Sequence, residues 1–510
     1  MEGIGRIIAI PAVLTIGAVL AALVSALREG REGTRALTAM ISIVALAAAS
    51  WALLLWPEPS AAVAVGKLVA DPLGMYVAVT ALAAAILGVL VSFNQTEERV
   101  CGEFFAMVLF AAAGLAMVGL AGDLVMLFLG LELISIPGFV LVGLSRRHRL
   151  AEEAAAKYFF IGVLTTALTA YGFVLLFGAA GTMSLAVGPD VGALAKAADG
   201  GGMAFWLAVV GLVIAFAGLS YKTTALPFYF YAPDVYQGAS SSATAIIAFV
   251  PKIAGFVALL RICAWIGFDG RVWDVFWPVL WVTAAATMTA GNVLALLQKD
   301  VKRILAYSSV AHSGYILVGL VAAGAVEGRL AGLASVLFYV FIYGVMTLGA
   351  FAVIGYVAYV RRGLAPSEEG SSLADLAGLS RRHPLAALVL AVCVFSLLGM
   401  PPTAGFWSKV YVFTAALSGR DFWLIALVVI GALNAAIGAA YYLRIVFAAY
   451  MAEPAEASES PAFGRHHSRA AWPAASVGLG VSAAIVLGVG FFPAKLMRIC
   501  EFAAQFLLPG

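Results

Sequence analysis

Six ionisable side chains in stretches of sequence that are otherwise apolar enough to lie in a membrane are candidates for chemistry. They occur among Ala, Leu, Val, Ile and Phe, and they are Glu132, Lys157, Lys222, Lys252, His312 and Lys409. A charged group at bilayer depth costs about 3 kcal/mol, so an ionisable residue there is by default a candidate for function. An amine that is removed from water releases its proton more readily, and a nearby carboxylate makes it hold that proton. A row of such groups therefore predicts a proton relay.

Hydroxyl side chains near these groups can join them through hydrogen bonds. Ser308 and Ser309 come shortly before His312, and Thr403 directly follows Pro401-Pro402. The set contains no acidic cage for a metal ion and no mixed polar pocket for an organic substrate. Protons are therefore the predicted cargo, with Na⁺ as the alternative.

Each candidate also has a purely structural interpretation. Glu153 and Lys157 have the spacing of an i,i+4 ion pair at the membrane surface. His312 can be a hydrogen-bonded packing residue, and Glu132 can neutralise a neighbouring lysine and do nothing more. A lysine near the end of a span can extend its amine to the headgroup region. Lys252, about ten residues from either end of its apolar run, is too deep for that.

Composition places the chain among membrane proteins with many crossings. Of its 510 residues, 63% are hydrophobic and 11% are charged, whereas soluble domains have about 25% charged residues. A net charge of +3 without a basic cluster gives no indication of nucleic acid. The four cysteines are isolated, which predicts neither disulfides nor a metal or iron–sulfur site. The first apolar stretch is long enough for a span and has no convincing signal-peptide cleavage site.

Apolar windows of roughly 20 residues predict an all-α protein with about fourteen transmembrane helices. Their predicted limits are 4–27, 36–56, 72–93, 103–120, 123–144, 154–179, 203–238, 242–263, 273–297, 303–324, 330–360, 385–417, 421–449 and 473–493. Spans 7 and 12 are too long for one straight crossing and contain prolines, so both are predicted to be broken helices. At membrane depth, broken backbone is tolerated only where it is buried in protein or lines a wet cavity.

Spans 4–8 and 9–13 form two sets of five with a broken, lysine-bearing fourth member. Lys222 is close to Pro227 in the first set, and Lys409 follows Pro401-Pro402 in the second. A unit with an odd number of crossings inverts its orientation, which is typical of transporters with midplane ion sites. The predicted organisation is a three-helix segment, two inverted five-helix repeats, and a loop with the last helix and a tail, with the boundaries 1–102, 103–265, 266–450 and 451–510.

Basic residues predict which side of the membrane each loop faces. The loops after odd-numbered spans carry about twice as many of them as the opposite loops. They are Arg28, Arg31, Arg35, Arg99, Arg146, Arg147, Arg149, Lys299, Lys302, Arg303, Arg361, Arg362, Arg381, Arg382, Arg465 and Arg469. By the positive-inside rule these loops are cytoplasmic, and both termini are outside. A multi-pass protein of the bacterial inner membrane is therefore predicted, with its termini on the periplasmic side.

Several long blocks of sequence resemble one family. They are LELISIPGF at 131–139, EAAAKYFFIG at 153–162, PDVYQGA at 233–239, PKIAGFVALLR at 251–261, KRILAYSSVAHSGYIL at 302–317, YGVMTLGAFAVIGY at 343–356, LAGLSRRHPLAALVL at 376–390, MPPTAGFWSKVYVF at 400–413 and LNAAIGAAYYLRI at 433–445. In order and spacing they resemble subunit N of the bacterial proton-pumping NADH:quinone oxidoreductase, respiratory complex I. That subunit is one of three antiporter-like membrane subunits. The L-type sibling has extra C-terminal spans, and the M-type sibling has a glutamate at the position of Lys409.

The resemblance implies a role for each candidate. Glu132 and Lys222 match the carboxylate and lysine pair of spans 5 and 7, and Lys252 matches the central lysine. Lys409 matches the terminal lysine near the outward exit. The remaining two candidates match polar positions on the same axis. Two departures, Tyr229 where the family usually has His and Ser240 where it usually has Pro, predict a difference in the local hydration and geometry of the span 7 break.

The resemblance also implies partners and excludes cofactors in this chain. Quinone reduction elsewhere in the complex would drive protons outward through this subunit, which makes it part of a translocase enzyme without a redox site of its own. NADH, FMN, iron–sulfur clusters and quinone would be bound by other subunits. The expected partners are the M-type and small membrane subunits, the lipid bilayer and protons, with no nucleic acid. Two alternatives remain open: a free-standing cation/proton antiporter of the same fold, and a spacer whose charges only hold a complex together.

Overall fold

The computed structural model describes residues 2–28, 31–56, 63–93, 96, 99–144, 149–185, 194, 198, 200–362, 371–453 and 473–508. These ranges contain eighteen α-helices. They are α1 (Glu2–Arg28), α2 (Thr34–Ala52), α3 (Pro72–Ser92), α4 (Cys101–Leu120), α5 (Leu124–Leu144), α6 (Arg149–Ala180), α7 (Gly202–Thr223), α8 (Ala232–Gly238), α9 (Ser241–Ile266), α10 (Arg271–Leu296), α11 (Val301–Ala322), α12 (Arg329–Arg362), α13 (Leu379–Arg382), α14 (Pro384–Leu398), α15 (Ala404–Ser418), α16 (Phe422–Tyr450), α17 (Pro473–Phe491) and α18 (Pro493–Gln505).

The predicted all-α membrane architecture is confirmed. Thirteen helices in the described ranges are long and apolar enough to cross a membrane, namely α1–α7, α9–α12, α16 and α17. The remaining predicted crossing, span 12 at 385–417, consists of two half-helices, α14 and α15. A small antiparallel hairpin of β1 (Val63–Val65) and β2 (Leu68–Ala70) precedes α3. Of the basic loop residues used for orientation, Arg146, Arg147, Arg465 and Arg469 lie outside the described residues, as do the side chains of Arg361 and Arg362.

Both predicted breaks are present, and local sequence explains them. α7 ends at Thr223, and the next residue, Thr224, has a left-handed backbone with φ of 57°. Pro227 follows, and proline has no N–H to continue a helix. In the second break, α14 ends at Leu398, and the φ of 89° at the next residue, Gly399, suits a residue without a Cβ. Pro401 and Pro402 then delay the next helix until residue 404.

The two predicted five-helix sets pack according to one scheme. The first set is α4, α5, α6, the broken α7–α8 and α9; the second is α10, α11, α12, the broken α14–α15 and α16. In each set the first crossing contacts the second, and the second contacts the third. The third contacts both pieces of the broken fourth, and the fifth lies against the first, second and fourth. Five crossings end on the opposite side of a membrane, so the second set is inverted relative to the first.

α9 forms the centre of the molecule. All residues in its most apolar window are buried, and nearly all are buried in α11 and α12. α9 contacts α3, α4, α5, α7 and α12, which leaves it no face for lipid. Gly344 of α12 lies directly against the ring of Phe249 of α9, where a Cβ would overlap the ring. This close approach brings the neighbouring Tyr343 next to Lys252.

The predicted C-terminal tail contains one further helix, α18. It begins at Pro493, directly after α17, and packs against α3 and α12. One face of this helix, with Met497 and Cys500, is buried, and the opposite face, with Arg498 and Ile499, is exposed. It is too short and too polar for a crossing, which is why a search for apolar windows does not find it.

Candidate functional site

Glu132 and Lys222 form the ion pair expected from the sequence. Lys222 Nζ in the last turn of α7 lies 3.6 Å from Glu132 Oε1 on α5. The amine also donates to the carbonyl oxygen of Leu131 at 3.2 Å and to the hydroxyl of Ser135. Glu132 accepts a hydrogen bond of 2.9 Å from Thr166 on α6. The lysine is buried, whereas the carboxylate side chain is 23% exposed at the edge of the subunit.

Lys252 occupies the middle of α9 and is 1% exposed. Its Nζ donates two hydrogen bonds of 2.7 Å, to the carbonyl oxygen and to the hydroxyl of Ser309 on α11. The amine also lies 4.2 Å from the centre of the Tyr343 ring on α12. All of these partners are neutral.

His312 stands at the centre of a group of tyrosines. Its Nδ1 is 2.9 Å from the Tyr339 hydroxyl, and its Nε2 is 2.9 Å from the Tyr442 hydroxyl. Its ring lies 5.2 Å from that of Tyr343 and 5.9 Å from that of Tyr315. The imidazole is therefore hydrogen-bonded on both nitrogens, as expected of a packing residue, yet each partner is a hydroxyl that can pass a proton.

Lys409 reaches back from α15 to the end of α14. Its Nζ donates to the carbonyl oxygens of Leu397 and Leu398, at 3.2 Å and 2.6 Å. These carbonyls belong to the last turn of α14, where the helix supplies no further backbone N–H groups to pair with them. The C-terminal end of a helix also carries a partial negative charge, which favours a cation. The amine also lies 5.2 Å from the centre of the Tyr315 ring. The break in this crossing thus supplies the acceptors that hold the lysine.

Hydrogen bonds to backbone carbonyls, together with ring contacts, connect these positions. Ser313 on α11 donates to the carbonyl oxygen of Thr223, the residue after Lys222, and also to that of Ser309 at 3.1 Å. The Ser309 carbonyl oxygen therefore accepts hydrogen bonds from both the Ser313 hydroxyl and the Lys252 amine. From Lys252 the row continues past Tyr343 to the imidazole, and past Tyr315 to Lys409. We call this row, from Glu132 to Lys409, the polar axis.

Lys157 belongs to a different group of charges. Its Nζ pairs with Glu153 at 2.7 Å and with Asp234 of α8 at 2.6 Å. Asp234 in turn binds Arg303 of α11 at 2.7 Å. The Lys157 side chain is 40% exposed. The i,i+4 pair is thus formed, and it is extended into an ion-pair network that joins α6, α8 and α11 beside the first break.

We expect Lys157→Ala to change proton translocation by less than about twofold. The amine is partly exposed and is compensated by two carboxylates, and exposed ion pairs contribute little. The measurement is proton translocation per electron in the assembled complex, compared with Lys222→Ala. A loss of proton translocation in Lys157→Ala as large as that in Lys222→Ala would contradict this expectation and would indicate that Lys157 is part of the relay.

The sequence did not reveal the tyrosines of the polar axis or Ser313. Tyr339 and Tyr343 are four residues, or about one helical turn, apart on α12. His312 and Tyr315 are three residues apart on α11. Pairs of polar aromatic residues at this spacing in apolar spans were the signal that could have indicated the tyrosines. Of the predicted hydroxyl bridges, Ser309 binds Lys252 and Ser308 binds Tyr442.

Three further residues named from the sequence take local roles. The Thr403 hydroxyl donates to the carbonyl of Met400, within the second break. Ser240 is the N-cap of α9, and its hydroxyl accepts from the N–H of Ala243 at 3.2 Å. Tyr229 lies half-buried in the first break.

A buried ion pair anchors the far end of α9. Arg261 binds both carboxylate oxygens of Asp71, at 3.1 Å and 3.2 Å, and donates to the carbonyl of Gly119. The two side chains are 5% and 2% exposed. Asp71 also caps α3 by accepting from the N–H of Gly74 at 2.6 Å. This pair fixes α9 against α3 and α4 and lies outside the polar axis.

Comparisons with known proteins all find membrane subunits of one family or fold. Residues 121–434 match the family described as NADH:quinone oxidoreductase/Mrp antiporter, TM. A curated relative, NADH-quinone oxidoreductase subunit N 2 of Roseiflexus castenholzii, is 40% identical over 428 residues, which are 82% of this chain and 80% of the relative. A chain of respiratory complex I from Thermus thermophilus with bound aureothin is 28% identical, with a TM-score of 0.75 over 96% of this chain and 98% of that one. A chain of the Mrp complex from Dietzia sp. DQ12-45-1b has the same fold, with 20% identity and a TM-score of 0.79 over 98% of this chain and 97% of that one.

Proposed function

Because this chain belongs to the NADH:quinone oxidoreductase/Mrp antiporter family of transmembrane subunits, we propose that it carries protons across the membrane along the polar axis. Relatives that match over most of their length are named NADH-quinone oxidoreductase subunit N, which confirms the resemblance predicted from the sequence blocks. The chain is a multi-pass membrane subunit of this kind of complex. Its partners are the other membrane subunits of the complex.

The continuity of the polar axis is the observation that carries the proposal. Glu132 and Lys222 stand at one end, near the edge of the subunit, and Lys409 stands at the other. Between them, Lys252 and His312 are linked by hydroxyl and ring contacts on α11 and α12. Each of these groups can gain or lose a proton. A change of charge at Glu132 alters how firmly Lys222 holds its proton, and the change can pass from there along the row.

In this mechanism the energy comes from outside the chain. Quinone reduction in another part of the complex changes the charge near Glu132, and protons move from the cytoplasm to the outer side. NADH, FMN, iron–sulfur clusters and quinone act in other subunits. The excess of basic residues in alternate loops supports an inner-membrane protein with both termini outside.

A free-standing cation/proton antiporter is the alternative, favoured by the fold shared with a chain of the Mrp complex. Extraction in mild detergent separates the two functions. Co-purification with flavin and iron–sulfur subunits is the result that the proposed function requires. A chain that purifies alone and exchanges cations for protons in vesicles would establish the alternative.

The carboxylate–lysine pair provides the direct test. We expect Glu132→Gln and Lys222→Met to leave the complex assembled and to lower proton translocation at least about tenfold, because the neutral pair can no longer shift the proton affinity of the axis. Proton-to-electron stoichiometry in membrane vesicles is the measurement. Glu132→Asp keeps the carboxylate and serves as the matched control, with most translocation retained. Normal stoichiometry in the two neutral variants would refute the relay, and failure of both to assemble would favour the spacer.

A further inference from the structure

The three lysines of the polar axis have two different kinds of partner. Lys222 has a carboxylate 3.6 Å away. Among the residues that the structure describes, Lys252 and Lys409 have no carboxylate within the 4.0 Å of an ion pair. Each of these two amines instead faces the ring of a tyrosine, at 4.2 Å for Tyr343 and 5.2 Å for Tyr315.

We propose that Tyr343 and Tyr315 are positioning residues whose ring faces replace a carboxylate for Lys252 and Lys409. The proposal rests on the proton relay proposed above. The face of an aromatic ring carries negative potential and attracts a cation within about 6 Å, and the attraction is stronger where water is excluded. A ring does not titrate, so it stabilises the protonated amine by a constant amount. A lysine held in this way can load and unload without a neighbouring acid changing its charge.

The contacts of Tyr343 place its ring against the polar axis. Its hydroxyl is buried and forms no hydrogen bond of standard geometry within the described structure, although it lies near the hydroxyls of Ser309 and Thr347. The ring lies against Lys252 on one side and 5.2 Å from the imidazole of His312. The close contact at Gly344 fixes α12 at this distance from α9. The side chain is therefore placed where its ring meets both groups.

The same arrangement is repeated on the other side of the imidazole. The His312 ring is 5.9 Å from that of Tyr315, which faces Lys409. Amine, ring, imidazole, ring and amine thus alternate along this half of the polar axis. Each tyrosine ring therefore lies between one of the two lysines and His312, which is the proton-exchanging partner of both lysines in the proposed relay.

Other titratable groups surround the contact between Lys252 and Tyr343, and a test has to keep them constant. They come from the helices packed around α9 and from α11, and they are Glu132 on α5, Lys222 on α7, Tyr236 on α8, His312 on α11 and Tyr339 on α12, with the pair of Arg261 and Asp71 at the far end of α9. A substitution at Tyr343 leaves the charges of Glu132, Lys222, Arg261 and Asp71 in place, and it changes the ring contact with His312 together with that to Lys252. A change in the pH dependence that appears in a ringless variant and not in Tyr343→Phe can therefore be assigned to loss of the ring.

The test compares Tyr343→Phe with Tyr343→Leu in the assembled complex, measuring proton translocation per electron between pH 6 and pH 9. Phe keeps the ring and loses the hydroxyl, so we expect a wild-type pH profile. Leu removes the ring, and we expect the alkaline limit of translocation to fall by about one pH unit, a tenfold change equal to about 1.4 kcal/mol. Tyr343→Met is a second ringless variant of more flexible shape, measured alongside Leu so that a packing defect of one variant does not decide the result.

Two results would overturn the inference. Equal shifts in Phe and Leu would assign the effect to the hydroxyl, and a wild-type profile in both Leu and Met would show that the ring has no influence. Lys252→Met distinguishes these results from failure of the relay itself. If Lys252→Met pumps normally, the proposed function fails; if it does not pump while the ringless variants have the wild-type profile, only the role of the ring fails.

Discussion

Replacing Lys252 by methionine is expected to lower proton translocation at least about tenfold, in a complex that still assembles. The amine stands between the Lys222 end of the polar axis and His312, and no other titratable side chain on α9 is close to Ser309 in the described structure. Methionine has a similar length and fills the same apolar surroundings. Its thioether cannot donate a proton to the Ser309 oxygens. The loss should therefore fall on proton transfer rather than on packing.

Two further variants show whether the proton or merely the positive charge matters. Lys252→Arg keeps a charge that cannot be released, because the guanidinium stays protonated in proteins. We expect it to be as inactive as Lys252→Met, whereas a structural cation would tolerate arginine. Lys302→Met is the matched control for loss of a buried lysine, since Lys302 binds the Ala239 carbonyl away from the axis. Full translocation in Lys252→Arg would contradict the relay.

Removing the carboxylate of Asp71 is expected to have the largest effect on stability, about 3–5 kcal/mol. Arg261 would keep its charge in a buried position without an anion, and breaking one side of a buried pair costs this amount. Asp71→Asn is the preferred change because asparagine caps a helix about as well as aspartate, so α3 keeps its start. The fraction of complex that survives heating, followed by native electrophoresis, measures the effect.

The double variant Asp71→Asn with Arg261→Met is the control. It removes both charges at once, and replacement of a buried pair by neutral groups is often close to neutral. We expect most of the heat resistance to return and proton translocation to stay normal, since the pair lies outside the polar axis. Equal losses in the single and double variants would mean that the pair contributes shape and hydrogen bonds rather than charge compensation.

The crossings and their breaks could be predicted from the sequence because each depends on local properties. The predicted span 242–263 is found as α9, Ser241–Ile266, and the prolines of predicted spans 7 and 12 mark both breaks. The pair of Glu132 and Lys222 was also predicted, since a buried charge has few possible compensations. Hydropathy, helix length and the absence of an N–H on proline act within one segment of chain.

The surroundings of the lysines could not be predicted in this way, because they depend on packing between distant helices. Asp71 and Arg261 are 190 residues apart, and Tyr442 is 130 residues from His312. Tyrosine is also common in membrane proteins for other reasons, so its presence in a span does not indicate a partner. Lys157 illustrates the same limit, since Asp234, which brings it into the network with Arg303, is 77 residues away.

The enclosure of α9 on all sides has a consequence for how the chain is made. A ribosome releases this segment before α11 and α12 exist, yet the groups that receive the Lys252 amine belong to those two helices. An amine at the centre of a lone helix costs about 2.5–3.5 kcal/mol to place in lipid. The segment therefore reaches its final environment only after three more crossings have been synthesised. Until then, the Lys252 amine lacks the contacts with Ser309 and Tyr343 that it has in the folded subunit.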